Sequence, residues 1–374
     1  MIYKITFDGS KFKQITHKSS MNSLIRRGFK LGSAPDKPSC AKPQITERWA
    51  NGYPVLLEEI AKPSIEHHQQ AILATEKLVL SVLEGNECLP LLNSPHYKAR
   101  LTANFTALGC AINEGDDQEI ETVLFDAVTN GEVVAEDLWM KLSWLSFAEE
   151  DASLRFRFSF GVDHEEDVAA DSTRQRYAAQ LTNAIFPESA IITENQSLKT
   201  TLTELLNCDN IHYVERIVYF NAPSGGAYLH HDLERGHAGV AFAQLSGSTY
   251  WLALPKNALI LEIVNFVNAD VWPESVGQKA REEIRTLANN PKNLAEELDS
   301  FANSSLIHLI NETETFVQQL VRNGHGQELV AGDILLLPQQ DQDTCCWHSV
   351  FCLGEEMGQA LSFAIRCADD EETA

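Results

Sequence analysis

Two histidines and an aspartate stand in the chain where they could bind one metal ion. His230 and Asp232 are two residues apart in GGAYLHHDLERGHAG, and on a β-strand side chains at that spacing point to the same face. A third ligand, His348, precedes a strand-like run in CCWHSVFCL. Two imidazoles and one carboxylate on one side of a metal leave the opposite side open, an arrangement typical of non-haem Fe(II) oxygenases. We therefore predict a mononuclear, catalytic iron site at His230, Asp232 and His348.

Three residues near this motif could join the site or only support it. Tyr228 lies two residues before His230, so the same alternation predicts that its hydroxyl could hydrogen-bond a bound carboxylate, and a hydrogen-bonded core tyrosine is the equal alternative. His231 is expected to point to the opposite face, as a packing or surface residue. His237 could approach from a loop, and we do not include it among the ligands.

The elements that must hold these residues are predicted to be short strands. Alternating or apolar runs occur at HYVERIVYF, GVAFAQLSG, STYWLALP, DILLLP, HSVFCL and ALSFAIR. Earlier, LWMKLSWLSF and SLRFRFSFG alternate as well, with phenylalanines on one face of the second run and Arg155 and Arg157 on the other. Many short strands predict a sandwich or barrel.

Helical spacing of apolar residues predicts helices around this barrel. We expect them over Ser64–Leu83, Ala99–Ile112, Gln118–Val128 and Ser172–Phe186, with a further helical stretch at 256–327 between two barrel strands. The fold class is therefore mainly β with helical additions. We predict a mainly helical support region over 1–135 and a jelly-roll catalytic domain over 136–374.

Composition narrows the function classes. The formal charge is −24, from 29 Lys+Arg against 53 Asp+Glu, which repels phosphate backbones and anionic membranes, so neither nucleic acid nor membrane is an expected partner. No apolar run approaches the roughly 18–20 residues of a membrane helix, and we expect a cytoplasmic protein. The eight cysteines lack the spacing of a disulfide scaffold or zinc site. Apolar helix faces outside the barrel make a homodimer an expectation.

The motifs together resemble a known family. The order His-x-Asp, a strand ending Gly-x-x-x-Trp-x-x-x-Pro, a Gly-Asp pair before an apolar run ending in Pro, and Trp-His resembles the JmjC and cupin-like Fe(II) and 2-oxoglutarate-dependent oxygenases. The resemblance covers roughly Ile211 to Arg366. The matching residues are His230, Asp232, Gln244, Gly247, Trp251, Pro255, Gly332, Asp333, Pro338, Trp347 and His348.

The resemblance implies a double-stranded β-helix core, Fe(II) as cofactor, 2-oxoglutarate as co-substrate, and dioxygen with an organic or peptide substrate as partners. The lysine that binds the distal carboxylate of 2-oxoglutarate in JmjC-type enzymes would fall near Ser246 or Thr249, and neither is lysine. Other branches use an arginine on a strand after the distal histidine, and Arg366 in ALSFAIR has about that position. Arg366 is the first choice for this role, with Tyr228 beside it. Further alternatives on strands are Arg155, Arg157 and Arg216, each of which could instead face solvent.

Three functions follow as hypotheses. The first is an Fe(II) and 2-oxoglutarate-dependent oxygenase that hydroxylates a C–H bond of a small molecule, a peptide or a protein side chain. The second is a cupin-type metalloenzyme that does not use 2-oxoglutarate, because the JmjC lysine is absent. The third is a non-catalytic binding protein whose barrel keeps vestigial ligands.

Overall fold

The computed structural model describes most of the chain. Side chains are described in residues 46–111, 119–145, 153–161, 171–222, 225–233, 237–353 and 357–367, and the backbone alone in 3–7, 12–16, 25–26, 29–30 and 42–45. No helix within these ranges is long and apolar enough to cross a membrane. The turn AEEDA that would join the two alternating runs lies outside the described residues.

The described residues contain seventeen strands and twelve α-helices. The strands are β1 (Tyr3–Phe7), β2 (Phe12–Thr16), β3 (Ile25–Arg26), β4 (Phe29–Lys30), β5 (Val55–Glu58), β6 (Phe105–Ala111), β7 (Glu119–Thr129), β8 (Glu132–Leu145), β9 (Ser153–Phe160), β10 (Ile211–Asn221), β11 (Gly226–His230), β12 (Gly239–Gln244), β13 (Ser248–Pro255), β14 (Gly326–Val330), β15 (Ile334–Pro338), β16 (Cys346–Leu353) and β17 (Gly358–Cys367). The helices are α1 (Lys42–Ala50), α2 (Lys62–Leu83), α3 (Cys88–Leu92), α4 (Pro95–Leu101), α5 (Ser172–Ile185), α6 (Ala190–Thr193), α7 (Gln196–Leu206), α8 (Lys256–Ala269), α9 (Gln278–Ala288), α10 (Pro291–Ser300), α11 (Ser304–Glu312) and α12 (Glu314–Arg322).

The strands β10 to β17 form a double-stranded β-helix. In the large sheet the order is β15-β12-β17-β10, and in the second sheet it is β11-β16-β13-β14. Every pair within these two groups is antiparallel, and the chain crosses repeatedly from one sheet to the other. This strand order is that of a jelly roll, so the fold class predicted from the sequence is confirmed.

Strands from the N-terminal part of the chain extend the large sheet at both edges. On one side β10 continues into β9, β8, β7 and β6, and on the other β15 continues into β5, β1 and β2. Covering both edges of the barrel sheet protects backbone groups that would otherwise be open to pairing with another chain. The alternation predicted for β9 is confirmed, because Phe156, Phe158 and Phe160 are fully buried on one face while Arg155 and Arg157 lie on the other.

Apolar side chains pack in three layers around the two sheets. The outer face of the large sheet packs against α2, α5, α6 and α7, and helices α8 to α12, the helical insertion, pack against the outer face of the second sheet through residues such as Leu254 and Trp347. A smaller apolar cluster, including Val240, Phe242 and Trp251, lies between the sheets. The insertion falls between β13 and β14, as the sequence predicts.

Two of the predicted helices are wrong. Residues expected to be helical over Ala99–Ile112 and Gln118–Val128 instead end α4 and form β6 and β7. The Asn130-Gly131 pair that follows has φ of 54° and 84°, which is the pair of positive angles that a tight two-residue hairpin turn requires. The turn signal therefore belongs to a hairpin between β7 and β8. Pairing of β7 with β6 and with β8 overrides the helical spacing of its apolar residues.

The other helix predictions hold within a residue or two at most ends. α2 and α5 occupy the expected segments. Within the predicted helical stretch at 256–327, α10 begins at Pro291, and the side chain of Asn290 before it accepts the N–H of Asn293 at 3.3 Å. The division between a support region and a catalytic domain at residue 135 stays a prediction. That residue lies inside β8, whose strand pairs connect sheet segments from both regions.

Candidate metal centre

The two histidines of the motif face each other across two neighbouring strands. His230 is the last residue of β11, His348 is the third residue of β16, and the two are paired in the antiparallel register. Asp232 follows two residues after the end of β11. The side chains of His230 and Asp232 are 34% and 42% exposed while that of His348 is 4% exposed, so two ligands face a cavity and the third lies deeper in its wall.

The three side chains present their donor atoms to one point. Nε2 of His230 lies 3.3 Å from Oδ1 of Asp232, Nε2 of His348 lies 3.3 Å from Oδ2, and ligand atoms of all three residues lie within 4.8 Å of one another. Donors about 2.1 Å from an ion at right angles would be roughly 3 Å apart. The separations and the donor set of two nitrogens and one oxygen therefore fit a first-row divalent ion such as Fe(II).

Backbone carbonyls orient both imidazole rings for metal binding. Nδ1 of His230 is 2.6 Å from the carbonyl oxygen of Tyr228, and Nδ1 of His348 is 3.2 Å from that of Cys346. In each case the carbonyl accepts the Nδ1 proton of a neutral ring, which leaves the Nε2 lone pair directed at the site. The ring centroids are 4.4 Å apart.

The charges of the triad support one another. Burial raises the pKa of Asp232, but His348 and His230 lower it by more than burial raises it. The net result is a pKa well below the ordinary range. For His230 burial lowers the pKa, while the hydrogen bond and negative charge of Asp232 outweigh it and leave the pKa raised. Asp232 is therefore ionised at neutral pH and ready to bind a cation.

The helical insertion holds β11 in place from outside. A bulge between Ala227 and His230 interrupts the pairing with β16, and the N–H of Leu229 donates instead to Oδ1 of the buried Asn311 on α11 at 2.7 Å. Beside it, the hydroxyl of Tyr228 donates to the carboxylate of Glu312. Two contacts from one helix thus fix the strand that ends in His230.

An aromatic cluster supports the same strands on their outer face. The ring of His231 meets Trp347 edge to face at 5.2 Å, and Phe301 stacks on Trp347 at 5.2 Å. His231, which follows the ligand His230, and Trp347, which precedes the ligand His348, therefore both pack away from the cavity. The sequence predicts this orientation for His231. Phe301 has a φ of 50° at the end of α10, an unusual conformation for a bulky residue, which the stacking accompanies.

A cavity of about 360 Å³ lies between the two sheets and contains the three predicted ligands in its wall. Its walls combine an apolar part with polar groups from β9 and β10. The lining residues that matter for the chemistry are His230, Asp232, His348, His237, Arg155, Arg157, Glu215, Tyr219, Asn221, Trp251, Phe242 and Ser362. Trp251 lies over His348 with ring centroids 5.6 Å apart.

The two residues predicted to bind the co-substrate do not line this cavity. On β17, Ser362 and Ala364 line it, and Arg366 follows two residues later, beyond the lining residues; its Nη1 is buried without a hydrogen-bond partner among the described residues. Tyr228 does not share the face of His230, because the bulge in β11 shifts the alternation and its hydroxyl meets Glu312. The roles of Arg366 and Tyr228 in co-substrate binding stay predictions.

The alternative arginines separate into two groups. Arg155 and Arg157 line the cavity, so the alternative that they face solvent is wrong. Arg216 lies on the opposite face of β10, where its guanidinium is 5.9 Å from the ring of Phe363; burial lowers its pKa to about 10. Arg216 therefore belongs to the core behind the sheet.

The cavity contains one histidine that the sequence left open and two residues that it did not predict. His237, which could approach from a loop, is buried in the cavity wall, where burial lowers its pKa. Tyr219 and Asn221 share one face of β10, and burial raises the pKa of Tyr219 to about 12, so its phenol stays protonated. The signal for Tyr219 and Asn221 was the polar side of an alternating strand, since Val218 and Phe220, which alternate with them along β10, are buried in the core.

The chain has low similarity to the known proteins with which it was compared. No family model and no curated protein matches the chain. Among solved structures, that of the Escherichia coli ribosomal oxygenase YcfD is 13% identical with a TM-score of 0.25, covering 75% of this chain and 45% of that one, so this chain spans less than half of its length. A Burkholderia pseudomallei structure entitled a 2OG-Fe(II) oxygenase family oxidoreductase is 8% identical with a TM-score of 0.29, covering 87% and 92%. A Pseudomonas putida prolyl-4-hydroxylase is 9% identical with a TM-score of 0.25, covering 60% and 78%.

Proposed function

We propose that the chain is a mononuclear Fe(II)-dependent oxygenase that uses 2-oxoglutarate as co-substrate and hydroxylates a C–H bond. The observation that carries this proposal is the triad of His230, Asp232 and His348, whose donor atoms converge on one point in the wall of a cavity. Such a set occupies one side of a metal and leaves the other side for ligands. When bound, iron supplies the activation of dioxygen, with oxidation of 2-oxoglutarate to succinate and carbon dioxide and transfer of one oxygen atom to the substrate.

The side chains of the cavity would position the reactants and limit water. Val240, Phe242, Trp251 and Leu337 form an apolar wall from the large and second sheets. Such a wall strengthens electrostatic interactions at the site and protects reactive species from side reactions. The carbonyl groups that accept from Nδ1 of His230 and His348 keep the rings in the orientation that binding needs.

The size of the cavity bears on the substrate. About 360 Å³ is near the lower end of the range of ligand sites. A co-substrate bound at the metal would leave room for a small molecule or for one side chain of a peptide or protein, and these are the substrate classes that we propose.

The test is anaerobic addition of 2-oxoglutarate to the Fe(II)-loaded protein, followed by air. We expect a visible metal-to-ligand charge-transfer band before air and succinate after it. The His348→Ala variant should give neither, while His231→Phe, which alters the neighbouring packing residue, should give both. A wild-type protein that holds iron but shows neither the band nor succinate would contradict the proposal.

A second candidate is a cupin-type metalloenzyme that does not use 2-oxoglutarate. The observation in its favour lies on β13, where the family lysine is absent and the polar groups are paired with one another. Trp251 Nε1 donates to Thr249 Oγ1 at 2.9 Å, which donates to Gln244 Oε1 at 2.9 Å. This chain of hydrogen bonds offers no cation. Bound iron with no response to 2-oxoglutarate would favour this candidate.

A further inference from the structure

Two permanent cations line the cavity within the described part of the chain, and they differ in their partners. Nη2 of Arg157 lies 2.6 Å from Oε1 of Glu215, an ion pair with side chains 19% and 15% exposed. Arg155 uses only Nε, which donates to Ser143 Oγ at 2.6 Å. Its two terminal nitrogens make no hydrogen bond or ion pair with any described residue, so Arg155 contributes the unbalanced positive charge.

Two hydrogen-bond donors stand beside Arg155 on the next strand. Tyr219 is paired directly with Arg155 between β10 and β9, it lines the cavity, and its hydroxyl has no partner among the described residues. Asn221, two residues further on the same face, is 8% exposed, and its Nδ2 is buried without a hydrogen-bond partner in the part of the chain that the structure describes. An unpaired buried donor is costly in a folded protein, so a ligand that accepts from it is the expected partner.

The charges match a ligand with two negative ends. A divalent ion bound by the Asp232 carboxylate leaves one positive charge at the metal, and Arg155 adds a second on the opposite sheet, while Arg157 and Glu215 neutralise each other. A dicarboxylate that binds the metal with one end would place its other end among cationic and neutral donors.

We propose that Arg155, with Tyr219 and Asn221, binds the remote carboxylate of a metal-bound 2-oxo diacid. The carboxylate anchor of this chain thereby comes from β9, a strand outside the eight-stranded core, rather than from β13 or β17. The inference rests on the proposed function and deepens it. Tyr219 and Asn221 supply neutral hydrogen bonds, and Arg155 supplies the charge.

The test compares two ligands in each variant, so that it does not depend on total activity. The Fe(II)-loaded, full-length protein is titrated anaerobically with 2-oxoglutarate and with 2-oxopentanoate, which has the same 2-oxo acid and chain length without the remote carboxylate. Binding is followed by the charge-transfer band. We expect the wild type to prefer 2-oxoglutarate by roughly 10- to 100-fold, the range of charge-assisted hydrogen bonds. The preference should fall to near one in Arg155→Met and be partly kept in Arg155→Lys.

Further variants keep the inference open to failure if Arg155→Met folds poorly. Tyr219→Phe should lower the preference several-fold without changing the affinity for 2-oxopentanoate, and Arg366→Met should leave it unchanged. Equal binding of the two ligands by the wild type, or loss of preference in Arg366→Met but not in Arg155→Met, would overturn the inference and leave the proposed function standing. An iron-loaded wild type that shows no band with either ligand would overturn both.

Discussion

His230 and His348 are direct neighbours across the antiparallel pair of β11 and β16, and both direct Nε2 at the carboxylate of Asp232. The distances from Nε2 to the nearer carboxylate oxygen are 3.3 Å for each ring. One residue pair in a sheet thus supplies two of three ligands. Whatever shifts one strand against the other should therefore change metal binding.

Loss of a single triad histidine should abolish metal binding while loss of its neighbour should not. His348→Ala and His230→Ala are each expected to weaken Fe(II) binding by more than about 100-fold, above the effect of removing a supporting partner of a ligand. The measurement is metal content after dialysis against a weak chelator. His231→Phe is the matched control, since His231 packs on Trp347. Stoichiometric iron in His348→Ala would contradict the assignment of the third ligand.

Metal affinity should fall as the pH is lowered, and the fall should begin at a pH above the ordinary pKa of histidine. The pKa of His230 in the metal-free protein is raised by Asp232 in spite of burial, and only the neutral ring binds metal. Protons therefore begin to compete at a pH above about 6.5, and affinity should drop about tenfold per pH unit below that point. NMR titration of the metal-free imidazole should show a raised pKa that falls in Asp232→Asn. A pKa at or below the ordinary value would contradict this prediction.

Substituting Gly226 should separate the two metal-bearing strands. A Cβ atom at Gly226 would lie 1.9 Å from the carbonyl oxygen of Val350 on β16, closer than atoms can approach. We expect Gly226→Ala to lower the free energy of unfolding by roughly 1–3 kcal/mol and to weaken metal binding. Gly277→Ala is the control, because nothing lies within 4 Å of its Cβ position. Urea unfolding and metal titration of both variants test this prediction. Unchanged metal affinity in Gly226→Ala would contradict it and show that the two strands adjust to the added methyl group.

The helical insertion should lose stability in acid through one buried carboxylate. Glu262 accepts hydrogen bonds from Gln319 at 2.6 Å, Asn323 at 2.7 Å and His325 at 3.2 Å. Burial raises its pKa, but these partners lower it to a net value below the ordinary one. Its contribution is therefore present above the unfolded pKa of about 4.3 and is lost as pH falls through the lower, folded pKa.

The variant that tests this is Glu262→Gln. At neutral pH it should lower the free energy of unfolding by about 1–3 kcal/mol, and the difference from the wild type should shrink in acid. Glu296→Gln, exposed on α10, should change little at either pH. Urea unfolding at both pH values provides the measurement, and a difference that grows in acid would show that the sign is wrong.

Some features of the site could be predicted because they are local. Alternation along a strand depends only on the backbone, so the shared face of Phe156, Phe158 and Phe160 follows from their spacing. The same argument fails at Tyr228, because a bulge in β11 shifts the side chains that follow. That bulge depends on the pairing with β16 and on the side chain of Asn311, which lies 82 residues away from Leu229.

The strands β6 and β7 show the same limit. The apolar spacing of both segments also fits a helix, and only strand pairing selects the strand. β7 pairs with β6 on one side and with β8 on the other, while β6 pairs with β7 at the edge of the sheet. The Asn130-Gly131 hairpin signal was present in the sequence, but a turn signal alone does not identify the elements on either side of it.

By itself the sequence determined which residues can bind a metal and which fold class could hold them, since ligand chemistry belongs to the side chain and strand period belongs to the backbone. Only the tertiary structure decided which arginines line the cavity that contains His230, Asp232 and His348. Arg155 and Arg366 both lie on strands of the same sheet, and the alternation of residues along each strand does not distinguish which of the two arginines reaches the cavity. The position of β9 beside β10 brings Arg155 to the cavity, because sheet order is set by contacts between residues far apart in the chain.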